Sequence, residues 1–218
     1  MIKNYVPTSK TTKEERFWLS NFGSEYLERN KLSTKELDLL YTNNFGISRS
    51  RLNKEFLGKL KFKNILEVGC NVGNQLALLQ GQGFNNLYGI EVFPKAVEIA
   101  KTHTKGINII NGSAFDIPFK DKYFDLVFTS GVLIHINPKD VKRAMNEIYR
   151  VSKKYIWGYE YYSPKHVDIN YRDNKNRLWK ADFCKIYLDL FPNLKIVKGE
   201  KLKYLNSDNQ DEIFLLKK

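Results

Sequence analysis

From residue 64 to residue 159, short apolar runs alternate with segments of helical periodicity, and this alternation constrains the fold more than any other feature. Residues 64–68, 86–90, 107–110, 124–129 and 155–159 each read as a strand. Helices are predicted between them over 75–82, from Pro94 to about Thr104, and from Pro138 to about Val151. Such alternation builds a parallel sheet covered by helices on both faces. The run 124–129 is continuously apolar, as a strand buried on both sides should be. A helix over 178–190 and strands over 195–198 and 212–216 close the chain. The connection 199–211 is too short for a comfortable helical crossover, so the last two strands are expected to be antiparallel neighbours. The predicted class is α/β, with a seven-stranded, mostly parallel sheet whose last strand is antiparallel.

Upstream, residues 1–13 read as a flexible, lysine-rich tail. A helical pattern follows to about Asn30, interrupted by Gly23. Ser33 with Glu36 forms a capping box that opens a second helix through Leu40, and a third spans 51–60. The chain therefore divides into the tail, an N-terminal helical extension over 14–62, and an α/β domain over 63–218. No apolar run approaches the roughly 18 residues of a membrane span, and the N-terminus has no signal-like apolar block. Cys70 and Cys184 stand far apart and outside any Cys/His cluster. They predict a reducing, cytoplasmic setting with no disulfide and no metal site. The net charge is +12, of which residues 1–62 carry +5, residues 63–138 carry none and residues 139–218 carry +7. Positive flanks would attract an anionic partner, or are solvated lysines without a role.

Three turns at the carboxyl ends of predicted strands carry the chemistry, because ligands of open α/β sheets bind there. The first is Glu67-Val68-Gly69-Cys70-Asn71-Val72-Gly73-Asn74. It fails as a dinucleotide fingerprint, since Asn71 and Asn74 occupy the second and third glycine positions. Asn71 is the next best residue after glycine for a left-handed backbone. The second turn presents Glu91, a carboxylate able to accept from both hydroxyls of a ribose. The third is Asn111-Gly112-Ser113-Ala114-Phe115-Asp116-Ile117-Pro118-Phe119.

Taken in order, these segments resemble class I S-adenosylmethionine-dependent methyltransferases. The first turn fits an ExGxxxG form of their loop, and Gly112, Ala114, Pro118 and Phe119 match their G-D-A-x-x-L-P-F-type segment, with Ser113 in place of the acid. Phe124-Asp125-Leu126-Val127 and Val132-Leu133-Ile134-His135-Ile136 resemble their fourth strand and the loop beyond it. The resemblance implies a Rossmann-like fold and S-adenosylmethionine as cofactor, with S-adenosylhomocysteine as product. It implies cofactor contacts at Glu67, Gly69, Asn71, Gly73, Glu91, Val92, Ser113, Ala114, Phe115 and Ser130. By analogy with closing N-terminal helices, Tyr26 or Arg29 is expected to meet the cofactor carboxylate. His135 is either a general base or a packed structural residue.

The aromatic segment 155–162, followed by His166, Tyr171, Arg172, Arg177, Trp179 and Lys180, suits a sugar bearing an acidic group, or a stacked base. Acceptor contacts are expected from Tyr161, Tyr162, Arg172, Trp179 and Lys180. The stretches Phe17-Trp18, Phe22-Gly23, Tyr26-Leu27-Glu28-Arg29-Asn30, Ile156-Trp157-Gly158-Tyr159-Glu160-Tyr161 and Leu178-Trp179-Lys180-Ala181-Asp182-Phe183 are similar to the pseudaminic acid biosynthesis-associated methylases. That similarity implies a bacterial enzyme acting in or beside nonulosonic-acid sugar metabolism; the expected acceptor is a small acidic sugar or nucleotide-sugar, and the expected assembly a monomer or homodimer. Two rivals stand beside it: an RNA methyltransferase, favoured by charge but lacking an N/D-P-P-Y-type motif at Thr129-Ser130-Gly131-Val132, and a non-catalytic cofactor-binding partner.

Overall fold

The computed structural model describes residues 11–218. Its centre is a seven-stranded sheet built from β1 (Ile65–Val68), β2 (Leu87–Glu91), β3 (Asn108–Asn111), β4 (Phe124–Ser130), β5 (Ser152–Tyr161), β8 (Lys195–Lys203) and β9 (Gln210–Lys217). The strand order is β3-β2-β1-β4-β5-β9-β8. Pairings from β3 through β5 are parallel, and β9 runs antiparallel to both neighbours, as expected. The order reverses between β1 and β4, which opens a crevice at their carboxyl ends.

Each inner strand buries alternate residues on opposite faces. In β5, Tyr155, Trp157 and Tyr159 face one layer while Ile156 faces the other; in β9, Ile213 and Leu215 oppose Phe214 and Leu216. The first layer is α3 (Thr34–Phe45), α4 (Arg49–Leu57), α5 (Asn74–Gly81) and α6 (Pro94–His103). The second is α7 (Val141–Val151) and α8 (Phe183–Leu190). In α7, Val141, Ala144, Met145, Ile148 and Val151 recur at helical spacing and are all buried. Strand β8 is an edge, and its exposed Lys195, Lys201 and Lys203 discourage pairing with another chain.

The N-terminal helix expected over 13–30 is two helices, α1 (Lys13–Trp18) and α2 (Asn21–Asn30). The break falls at Leu19–Ser20 because the Ser20 hydroxyl caps α2, accepting from the Phe22 N–H at 3.3 Å. Gly23 lies inside α2, where a Cβ would overlap the Trp18 carbonyl oxygen at 1.9 Å. Thr12 and Lys13, expected in the tail, instead cap and open α1, with Thr12 and Glu15 closing a capping box; residues 1–10 of the expected tail lie outside the described residues. The Ser33 capping box is present, and α3 runs on to Phe45, where Gly46 at φ 72° ends it.

A second correction concerns 178–190. Leu178–Lys180 belong to β7 (Asn174–Lys180), which pairs antiparallel with β6 (Val167–Tyr171). Helix α8 starts at Phe183, where the Asp182 carboxylate accepts from the Lys185 N–H at 2.8 Å. The hairpin escapes sequence reading because Arg172 and Asp173 make its turn, both at positive φ, in place of an Asn-Gly or Asp-Gly pair.

Gly158 leaves room for the Phe214 ring on the neighbouring strand: a Cβ there would stand 2.1 Å from Phe214 Cζ. Gly158→Ala is expected to lose about 1–3 kcal/mol, as overpacked cores do, and a urea midpoint unchanged from wild type would refute that packing.

Candidate active site

The crevice at the β1–β4 reversal holds two adjoining cavities. The first is walled by the turns after β1, β2, β3 and β4 and roofed by α1 and α2, through Glu14, Glu15, Trp18 and Tyr26. The second extends towards β5 and β9 and includes Glu67, Tyr41, Tyr159, Tyr161, Tyr204 and Asp211. Tyr26, Gly69, Asn71, Ser130, Gly131 and His135 line both.

The local backbone follows from residue type. Gly69 sits at φ 73° with its N–H on the Ile90 carbonyl at 2.8 Å, and a Cβ there would meet Val132 Cγ2 at 2.6 Å. Asn71 is left-handed at φ 48°. Gly73, at φ 82°, caps α5 and does not line either cavity. Glu91 fastens two turns: its carboxylate accepts from the Asn71 and Phe93 N–H groups, each at 2.9 Å. Burial raises its pKa, and those backbone donors pull it back. Each oxygen keeps a further lone pair for a ligand hydroxyl.

Val92, Ala114, Phe115 and Ser130, expected from sequence to contact a cofactor, line the first cavity. Ser113 does not line it: its hydroxyl donates to Glu15 Oε1 at 2.5 Å and accepts from the Phe115 N–H at 3.0 Å. Glu15 thus brings a carboxylate from α1 to the turn where Ser113 stands in place of an acid. Sequence reading missed Glu15, although Thr12-x-x-Glu15 is a legible capping box. Arg29 lines neither cavity and lies 4.0 Å from Glu25.

His135 ends a 3-10 turn, Leu133–His135, just beyond β4. Its Nδ1 lies 2.8 Å from the Arg177 carbonyl oxygen. A carbonyl only accepts, so Nδ1 carries the hydrogen and Nε2 keeps its lone pair. Burial lowers its pKa to about 4, and it packs edge-on against Trp18 and at a tilt against Tyr171. The turn hangs from Glu160, whose buried carboxylate accepts from the Val132 and Ile134 N–H groups at 3.2 and 3.4 Å. A lone acid inside an aromatic strand was the available signal for Glu160.

The expected acceptor contacts separate. Tyr161 lines the second cavity. Tyr162, Arg172, Trp179 and Lys180 line neither. Tyr162 lies under the Lys201 ammonium, Arg172 sits in the hairpin turn, Trp179 is buried, and Lys180 is bonded to Asn209.

Residues 66–155 match the family model of a methyltransferase domain. An uncharacterized methyltransferase of Synechocystis sp. is 30% identical over 91 residues, covering 42% of this chain and 42% of that protein. The chain thus spans less than half the length of that relative. A 1,6-didemethyltoxoflavin-N1-methyltransferase of Burkholderia thailandensis, solved with 1,6-didemethyltoxoflavin and S-adenosylhomocysteine bound, superposes with a TM-score of 0.69 at 13% identity, over 98% of this chain and 92% of that one. The [4+2]-cyclase SpnF superposes at 0.64 with 14% identity over 99% of each chain. The seven-stranded architecture is that of the class I methyltransferase fold.

Burial raises the pKa of Glu160 from 4.5 to about 7. A carboxyl raised in the native state stabilises fully below its unfolded value, and that stability is lost as pH climbs through the folded value. Stability is therefore expected to fall between about pH 4.5 and 7, with a shallower slope in Glu160→Gln, by urea denaturation across that range. Parallel slopes would contradict the assignment.

Proposed function

We propose that the chain is an S-adenosylmethionine-dependent methyltransferase acting on a small molecule. One observation carries this reading: Glu14, Glu15 and Glu91 line the first cavity, and no lysine or arginine does among the described residues. A dinucleotide would set its pyrophosphate against that negative wall, whereas a cationic sulfonium is attracted to it. The residues also suit a nucleoside, with Ile90, Ala96 and Phe115 as apolar surface for a ring and carboxylates for its donor groups. The matched methyltransferase domain supports the same conclusion, and the cyclase of like fold explains why fold alone does not carry it.

In this reading Glu91 accepts from the ribose hydroxyls and Glu15 from an amino group of the base. Tyr26, whose phenol burial keeps protonated, closes the roof. S-adenosylmethionine, when bound, supplies a methyl group activated by its sulfonium. The acceptor enters from the second cavity, and the shared edge at Gly131 and His135 aligns it. Alignment of this kind is worth about 7–11 kcal/mol in well-oriented reactions. His135 Nε2 takes the proton that the acceptor releases. Two free, buried cysteines support a cytoplasmic setting.

An acidic sugar acceptor, read from Arg172, Trp179 and Lys180, loses support because those side chains do not line the cavity. An RNA acceptor finds no basic lining among the described residues of either cavity. Calorimetry is expected to give roughly micromolar binding of S-adenosylmethionine and S-adenosylhomocysteine, with no binding of NAD. Glu91→Ala should weaken both by about tenfold or more, the loss of one charge-assisted hydrogen bond. Tight NAD binding, or an indifferent Glu91 variant, would end this account.

A further inference from the structure

The lysine excess that the sequence places in its flanks converges on one end of the folded chain. Strands β1 to β5 all begin at the end of the sheet opposite the crevice, and antiparallel β9 finishes there beside the start of β8. The segments that form this pole, 58–64, 82–86, 104–107, 120–125, 151–154, 191–195 and 217–218, contain eleven lysines and no arginine. Ten of these lysines are exposed, and Lys218 is half-buried. The same segments contain two acids, and both are engaged. Asp121 accepts from Arg150 Nη1 at 2.9 Å, and Asp125 accepts from the Lys63 backbone N–H at 2.6 Å. Among the described residues no ion pair joins any of the eleven lysines to an acid.

These charges also crowd one another. Lys195 and Lys217 stand directly opposite on β8 and β9, and the Lys218 N–H donates to the Lys154 carbonyl at 2.9 Å. Burial, and after it the charge of Lys122, lowers the pKa of Lys218. Like charges placed opposite each other weaken a sheet, so the pole carries a repulsion that the fold does not relieve. An anionic surface laid against it would relieve it.

Two apolar side chains border the charge. Ile196 is 56% exposed and Val197 49%, between Lys195 and Lys198 at the start of edge strand β8. Seven strands at about 4.8 Å spacing make the pole roughly 29 Å wide. A broad lysine face edged by aliphatic side chains suits anionic headgroups, with the aliphatics entering the boundary below them. Nucleic-acid surfaces combine arginine forks with exposed aromatic rings. Here the segments supply no arginine, and none of their aromatic residues is exposed.

We propose that this pole is a docking surface for a bilayer that presents anionic lipid headgroups. Strands β1 and β4 set the crevice about 13–23 Å away from it. The crevice therefore faces the aqueous phase and stays open while the pole is bound. The inference is independent of the methyltransferase reading, because none of the pole's lysines lines either cavity.

The test is co-sedimentation of the full chain with phosphatidylcholine vesicles that contain about 30% phosphatidylserine. Binding is expected to these vesicles and not to pure phosphatidylcholine. It should weaken steeply as salt rises from about 0.1 to 1 M, where screening shortens from about 10 to 3 Å. Lys61→Gln with Lys153→Gln should weaken it about twentyfold, the attraction of two lysines. Lys59→Gln with Lys217→Gln is the second pair should the first not fold. Lys35→Gln with Lys139→Gln removes the same charge outside the pole and should leave binding nearly unchanged. Ile196→Ser with Val197→Ser should weaken it about fivefold through lost apolar contact. Equal binding to neutral vesicles, equal losses inside and outside the pole, or no loss in the apolar pair would overturn the inference. So would displacement of the chain from the vesicles by an RNA of about 20 nucleotides at equal phosphate concentration, which would assign the pole to nucleic acid.

Discussion

Two buried carboxylates hold the crevice in shape, and the rest of the site depends on them. Glu91 gathers the turns after β1 and β2 by accepting from Asn71 and Phe93. Glu160 gathers the turn after β4 by accepting from Val132 and Ile134. Backbone N–H groups in such turns would otherwise be unpaired or would need water. Supplying acceptors from strand ends solves that problem and also deposits negative charge at the mouth of the sheet. The chain is basic overall, yet its crevice is acidic, so long-range charge and local recognition have opposite signs.

The roof and the hairpin form one unit over this floor. Arg177 of β7 stacks on Phe17 of α1 and lies 3.9 Å from Glu14, while the Arg177 carbonyl holds His135. Phe22 and Tyr26 each pack edge-on against Trp18, and Tyr171 of the hairpin contacts Phe22 and His135. Helices far from the sheet in sequence therefore set the orientation of the imidazole where the two cavities meet. This arrangement gives the enzyme reading its geometry: a neutral histidine, fixed in one tautomer, at the boundary between two compartments.

The same seven-stranded frame carries a methyltransferase and a cyclase, so the side chains on the frame must account for the chemistry. Acidic lining in the first cavity and tyrosine-rich lining in the second are properties of this chain's residues rather than of the strand order.

The seven strands of the main sheet, their polarity and the turns at Gly69, Glu91 and Gly112 were legible in the sequence, because burial on two faces and left-handed turns leave local marks in apolar runs and glycines; the spatial order of the strands was not. The hairpin before α8 was not, since Arg172 and Asp173 adopt positive φ without the usual turn residues and hold it only through pairing across the strands. Nor could local pattern show that Glu15 reaches Ser113, 98 residues away, or that Lys180 turns outward to Asn209. Which titratable groups share a cavity depends on contacts between distant segments, and only the packed chain decides those. Spacing marked where a ligand could lie; which side chains line that place came from the fold.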